Sequence, residues 1–476
     1  MKKKSLTVNA ILNILRQCSN IIFPLITYPY ITRVLGNENL GRYSFSDSVV
    51  QFFILFASLG IPTYAIREVS KVRSNVEKRE KLVSELTTIN IIVLLITYTC
   101  LIISVNVISK LRDYEILIYI LSVEMIATVL GRDWINSVFE DYQFTTIRYL
   151  FFQVISAILI FLFVRDSEDY VIYTIIRMLG ASGGYFINLF YCRRYVKFQL
   201  TFKTNFMIHI KPIIMLFASA IALTIYLKSD IVILGFYKTD AEVGIYTVAS
   251  KIYSIVKAVI NAAIMVVIPR LSHCLAEKMV TEYNRILNWL YQVIILLVFP
   301  VTIGCIILNY DIMYIIGGNE FTSGGGTLVI LAISLFFAVS GCFYSQAIMI
   351  PNNRENEFLK ATIISAITNA VLNYIFIPTM GINGAAVTTL IAEIIIFVAC
   401  EKYAEAFWKP IKFRYRHIII GCFIVMFSCL IVRKKIESSI LRILICTVIG
   451  AIEYFVVLCK AKNEIVMNYL YKLKMK

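Results

Sequence analysis

Apolar stretches of about twenty residues, broken by short polar punctuation, recur along nearly the whole chain, from residues 10–33 to residues 440–459. A stretch of that length crosses a hydrocarbon layer ~30 Å thick as a helix, and lipid offers no partner to an unpaired backbone N–H or C=O. Fourteen such runs can be marked, leaving no length for a separate soluble domain. Composition agrees, since 59% of the 476 residues are hydrophobic and only 16% are charged, outside the range of soluble domains. The expectation is an all-α integral membrane protein of about 14 transmembrane helices.

Lys and Arg concentrate in loops retained in the cytoplasm, which orients the runs. With Lys2, Lys3 and Lys4 inside, the following inside loops carry Arg67, Lys71, Arg73, Lys78, Arg79 and Lys81, then Arg193, Arg194, Lys197, Lys203 and Lys211. Lys402, Lys409, Lys412, Arg414 and Arg416 follow. Inside loops lead outside ones by about three to one in basic residues. Both termini are therefore expected in the cytoplasm. Arg433, Lys434, Lys435 and Arg442 run against the pattern and fall outside. The net charge of +16 is thus mainly a topology signal, with anionic headgroups of the bilayer as partner. Nothing in it points to nucleic acid.

The basic amino-terminal segment is interrupted by Asn13 and Arg16 and has no small-residue cleavage pattern, so it reads as a retained first helix. Eleven cysteines are scattered without a C-x-x-C pair and read as apolar fillers. There is no phosphate-binding G-x-x-x-x-G-K-[ST] loop, and His209, His273 and His417 lie far apart. The glycine-rich segment 317–326 reads as an outside loop, because no Lys follows it into a helix. No metal or cofactor is expected.

Polar side chains are periodic within the runs. Asn13, Arg16, Gln17, Asn20 and Thr27 recur at three- and four-residue steps, one stripe of a helix turning ~100° per residue. The second run repeats this with Ser44, Asp47, Ser48 and Gln51, and the eighth with Thr247, Ser250, Lys251, Ser254, Lys257 and Asn261. In the seventh run Lys228 and Asp230 are two residues apart, so they point to roughly opposite sides and cannot neutralise each other. A charge at a helix centre costs ~2.5–3.5 kcal/mol to insert, yet Arg16, Arg132, Arg177, Lys228, Lys251 and Lys257 all lie in runs. Two readings stand. One is interhelical pairing, for example of Arg16 or Lys228 with Asp47, Asp133 or Asp230; the other, favoured by stripes on several helices, is a polar lumen lined by these cations.

The chain is internally duplicated. "RVLGNENLGRYSF" at 33–45 and "VILGFYKTDAEVGIYTV" at 232–248 both read Leu-Gly, a polar link containing Glu, then Gly-x-Tyr, the second link being four residues longer. Two six-helix halves related by a repeat, with the substrate path at their interface, are a transporter arrangement. The division expected is 1–195 for the first lobe, 196–211 for a cytoplasmic linker, 212–405 for the second lobe and 406–476 for two added helices and a basic tail.

Residues 23–73 and "LKSDIVILGFYKTDAEVGIYTVASKI" at 227–252 resemble the Wzx-type O-antigen and capsule repeat-unit flippases. These form the polysaccharide transporter branch of the multidrug/oligosaccharidyl-lipid/polysaccharide (MOP) exporter superfamily. The resemblance covers the chain in length and helix number. It implies two lobes in a V shape, a cationic central cavity, and transport of undecaprenyl-pyrophosphate-linked oligosaccharide to the outer leaflet of the bacterial cytoplasmic membrane by alternating access. A polysaccharide polymerase and chain-length proteins are the implied partners. Related lipid II flippases carry an Arg-Asp pair late in the first helix; "PLITYPYITR" at 24–33 lacks it, which argues against lipid II as the substrate.

A pyrophosphate and its sugars would then meet Arg16, Arg132, Arg177, Lys228, Lys251 and Lys257, guanidinium groups binding bidentately and ammonium groups as point charges. Asn13, Gln17, Asn20, Gln51, Ser250, Ser254 and Asn261 would exchange hydrogen bonds with sugar hydroxyls. Asp47, Asp133, Asp230 and Glu393 are candidate counter-charges or sites of coupling to a proton or sodium gradient. Two alternatives come from other classes. A membrane polymerase or glycosyltransferase would need catalytic residues in a sizeable outside loop, and the acidic segment "RDSEDY" at 165–170 reads as a solvated turn. A cation efflux pump of the same superfamily would favour an acidic cavity over these basic stripes.

Overall fold

The computed structural model describes residues 6–201, 206–409, 415–463 and 465–467, and no strand occurs among them. The first helices are α1 (Leu6–Ser58), α2 (Ile61–Lys71), α3 (Val76–Val107), α4 (Ser109–Arg112), α5 (Glu115–Gly131), α6 (Trp134–Val138), α7 (Tyr142–Phe163) and α8 (Tyr170–Tyr191). Then come α9 (Phe206–Tyr237), α10 (Asp240–Ala276), α11 (Val280–Ile307), α12 (Asn309–Gly317), α13 (Gly325–Cys342), α14 (Glu355–Ala404), α15 (Tyr415–Lys435) and α16 (Ser439–Lys460). The tail of α13 continues into a π-helical turn, Phe343–Met349.

Ten helices among the described residues are long and apolar enough to cross a membrane. Two of these, α1 with 53 residues and α14 with 50, hold two of the sequence's apolar runs each. Each breaks at a glycine in a positive-φ conformation, Gly36 (φ 72°, ψ 180°) and Gly381 (φ 57°, ψ −136°), where a Cβ would be strained. Many large apolar side chains, Leu95, Val107, Phe151 and Phe190 among them, stay exposed on the helices, as in a protein whose outer surface faces lipid rather than water.

The chain forms two compact units, Met1–Gly244 and Ile245–Lys476. The sequence repeat places the seventh apolar run at the start of a second lobe beginning at 212, whereas by packing α9 belongs to the amino-terminal unit. Its partners are there: a Cβ on Gly235 would fall 2.0 Å from the Phe45 ring, and His209 hydrogen-bonds Tyr64 at 2.9 Å. One turn on from His209, Ile213 joins a core with Ile61, Val83, Leu86, Trp134 and Val138.

The duplicated linkers meet in this unit. A Cβ added to Gly41 would lie 1.8 Å from the Asp240 carbonyl oxygen, and one on Gly244 2.0 Å from that of Asn37. Backbone touches backbone, so both Gly-x-Tyr glycines are steric necessities. The Asp240 side chain closes the crossing, accepting from Tyr114 Oη at 2.5 Å and Arg42 Nε at 3.4 Å. The preceding Leu-Gly glycines serve different ends, since Gly36 supplies a backbone angle and Gly235 makes room for a ring. Residues 165–170 form a capped turn before α8, where two backbone N–H groups donating to Asp169 hold its carboxyl below the usual carboxylate range.

In the second unit the helices α15 and α16 pack on α11 through Leu296, Cys422, Val425 and Tyr454. Two of the basic residues that break the topology rule work here as fasteners. Arg442 donates to the buried Asp311 at 2.5 Å, joined by Ser439 Oγ at 2.8 Å, and Arg433 Nη1 donates to the Ile307 carbonyl at 3.3 Å, at the end of α11.

Gly41→Ala and Gly244→Ala should each cost about 1–3 kcal/mol through forced backbone shifts. Gly304→Ala, on a helix and with nothing within 4 Å of its Cβ position, should be neutral or stabilising by about 0.5–1 kcal/mol. Thermal unfolding of the detergent-solubilised variants checks both; equal melting of all three would remove the close-crossing explanation.

Candidate functional site

Within the amino-terminal unit, polar side chains from four helices converge. The segment of α1 after Gly36 supplies Tyr43, Asp47 and Gln51 at one-turn intervals, α5 supplies Glu124, α8 supplies Tyr173 and Arg177, and α9 supplies Lys228. Lys228 Nζ sits 3.0 Å from Asp47 Oδ2, so its partner is on another helix, as the two-residue spacing to Asp230 requires. Asp230 is buried and takes no part in that pair. Gln51 Nε2 bridges the acids, donating to Asp47 Oδ1 and to Glu124 Oε1, both at 3.4 Å. Beside them Arg177 donates Nε to Tyr43 Oη at 3.4 Å, in the field of Tyr28 and Tyr173. The Tyr43 and Tyr173 rings meet edge to face at 4.8 Å. No carboxylate among the described residues lies within ion-pair distance of Arg177.

A second polar group adjoins the first, Glu124 lining both. Arg148, 8% exposed, donates Nη2 to Asp133 Oδ1 at 2.5 Å. Arg16 lies over the Tyr149 ring at 5.2 Å, and the Tyr149 hydroxyl donates to Asn20. Arg132 stands apart: it ends α5 in a left-handed conformation (φ 48°), is buried, and stacks on Phe198 at 3.7 Å. The side chains of Asn13 and Gln17 lie outside the described residues.

The second unit carries a parallel arrangement on α10 and α14. Lys257 Nζ is 2.6 Å from Glu393 Oε1, and Tyr253 Oη donates to the same oxygen at 2.6 Å. Glu393 is 2% exposed, so this carboxylate is held by protein donors rather than by water. Along the same face Ser250 and Lys251 are half-buried, Ser254 is exposed with its hydroxyl turned back to the Ser250 carbonyl, and Asn261 is half-buried. Among the described residues no group of three or more His, Cys, Asp or Glu side chains is placed to hold a metal ion.

The structure therefore joins Lys228 to Asp47 and Lys257 to Glu393, and pairs Asp133 with an arginine the stripe reading passed over. Arg148, Glu124 and Tyr253, with the tyrosines around Arg177, were missed because a single ionisable or aromatic residue in an apolar run carries no periodic signal. An intramembrane Glu or Arg on its own is the one cue that singles out Glu124 and Arg148.

Fold and polar interior together define a multi-pass membrane protein of the transporter-like helical class. Its structure aligns with that of the lipid II flippase MurJ in an inward closed conformation over 97% of this chain and 100% of that one, with a TM-score of 0.78 at 17% identity. A family model described as "Polysaccharide biosynthesis protein" matches residues 6–275. The chain belongs to that polysaccharide biosynthesis family, and the resemblance drawn from residues 23–73 and 227–252 holds. Among relatives, the "Putative O-antigen transporter" of Escherichia coli (strain K12) is 22% identical over 83% of this chain and 95% of its own length. The "Probable low-salt glycan biosynthesis flippase Agl15" of Haloferax volcanii is 28% identical over 40% of each chain.

Removing one member of a buried pair leaves a charge without compensation, at a cost of about 3–5 kcal/mol. Lys257→Met should therefore lower stability by about that much, and adding Glu393→Gln should restore most of it. Denaturation in detergent reads both; a single variant as stable as the wild type would show that Glu393 does not rely on Lys257.

Proposed function

We propose that the protein is a flippase moving undecaprenyl-pyrophosphate-linked oligosaccharide repeat units, of the O-antigen, capsule or exopolysaccharide kind, across a bacterial cytoplasmic membrane by alternating access. Both termini then lie in the cytoplasm. The observation that carries this reading is the polar interior of the amino-terminal unit, where Tyr43, Asp47, Gln51, Glu124, Arg177 and Lys228 converge from helices whose outer surfaces are apolar. Names of relatives, an O-antigen transporter and a glycan biosynthesis flippase, support the same reading.

A pyrophosphate carrying sugars cannot cross hydrocarbon unaided, because its charge and hydroxyls would lose their water without replacement. A bundle with internal hydrogen-bonding groups replaces that water while the polyprenyl chain stays in lipid. The phosphate contacts fall first to Arg177, a guanidinium group with no carboxylate within ion-pair distance among the described residues, and Arg16, which shares a cavity with Glu124 and Asp133, contributes less. Lys228 and Lys257 contribute less attraction, since Asp47 and Glu393 already offset them. Those two pairs, with Asp230, are the proposed sites of coupling to a proton or sodium gradient: taking up a cation at Asp47 or Glu393 would free the lysine for phosphate, and its release would return the lysine to its partner. A cavity with a strongly positive net charge is not required.

The test is translocation of an undecaprenyl-pyrophosphate oligosaccharide in proteoliposomes, scored by access of an external glycosidase. Wild type should expose the glycan. Arg177→Ala should slow exposure at least tenfold, about 1.4 kcal/mol of lost stabilisation, with smaller losses for Arg16→Ala and Lys228→Ala. Unchanged rates in all three folded variants would return those charges to structural pairing, and no exposure by wild type would sink the flippase reading.

A further inference from the structure

A cavity of about 250 Å³ lies inside the amino-terminal unit where α1, α5, α7 and α8 meet, at the end of the bundle from which α1 and α7 start. It is carved by small residues on α8. Gly180, Ala181 and Gly184 face it, and a Cβ on Gly184 would stand 2.8 Å from Arg148 Nε. Its wall is not satisfied from within. Arg148 is 8% exposed and spends Nη2 on Asp133, while its Nη1 is buried with no partner among the described residues. Across the space Arg16 lies over the Tyr149 ring, and Glu124 receives one long hydrogen bond from Gln51.

Arg16, Glu124 and Gln153 line the space with polar groups, so a ligand that meets them with both donors and acceptors is favoured. The charges around the cavity decide which ligand. Arg16 and Arg148 balance Glu124 and Asp133, so an inorganic phosphate would meet two carboxylates and a metal cation two guanidinium groups. A neutral molecule with closely spaced groups that both donate and accept escapes both penalties, and the Tyr149 and Tyr185 rings add surfaces for C–H faces. Gln153 offers an amide with both a donor and an acceptor. A single pyranose ring has this chemistry and this size.

We propose that the cavity is a sugar subsite that receives one residue of the glycan headgroup on the side where α1 begins, and so sets which headgroups are accepted. This rests on the flippase reading above. Under the charge bias of the loops that side is the cytoplasmic one, so recognition would precede translocation.

The experiment measures binding to the full-length protein in lipid nanodiscs. The probes are bare polyprenyl pyrophosphate and the same lipid carrying glucose, galactose, N-acetylglucosamine or N-acetylgalactosamine. Wild type should bind at least one glycosylated lipid tenfold or more tightly than the bare lipid. That ratio should fall to near one in Ala181→Phe, which fills the space from an exposed helix position, and in Gln153→Ala, which removes a polar group without touching the ion pair; melting temperatures report that each variant is folded. No preference in wild type for any of the four sugars, or a preference that survives in both variants, would overturn the subsite while leaving the flippase reading intact. Failure of wild type to bind any of the pyrophosphate lipids would overturn the flippase reading itself, and the subsite with it.

Discussion

A charge among membrane helices whose own helix offers no opposite charge three or four residues away must find its partner on a different helix. Much of this structure follows from that constraint. Lys228 cannot use Asp230 and reaches Asp47 on α1; Lys257 reaches Glu393 on α14; Arg148 reaches Asp133 beyond the end of α5. Each such pair is also a distance constraint between helices that apolar contacts alone would leave free to slide, since lipid competes with one apolar side chain as well as another does. The same logic fastens the carboxy-terminal helices, where Arg442 meets the buried Asp311.

Glycine provides the complementary constraint on the backbone. The repeated linkers of the two halves look alike in sequence, and their second glycines share a task, allowing two peptide backbones to cross in contact. Their first glycines do not. Gly36 is needed for its positive φ and Gly235 for the ring of Phe45. An internal repeat can therefore preserve a residue at matching positions while the physical demand on it changes.

The polar interior is organised as pairs and bridges more than as a cationic field. Lys228 and Lys257 are neutralised and Arg132 is stacked on Phe198, whereas Arg16 and Arg177 have no carboxylate within ion-pair distance among the described residues. Aromatic hydroxyls take a larger share than the polar stripes suggest. Tyr43 holds Arg177 and Tyr253 holds Glu393, and each ring presents a polar tip on an apolar body suited to a wet site inside lipid.

Hydropathy by itself determined the class of protein, its all-helical character and the places where polar faces lie, because each depends on residues close in the chain and on what lipid permits. The duplicated linkers were also legible, and so was the impossibility of a Lys228–Asp230 pair, a matter of helical geometry over two residues. Which acid each lysine meets, the assignment of α9 to the amino-terminal unit, and the cavity beneath Gly180 and Gly184 were decided only in three dimensions. They depend on contacts between residues more than a hundred positions apart, as for Lys228 with Asp47, or on the absence of side-chain volume at one spot, and neither leaves a periodic mark in the sequence.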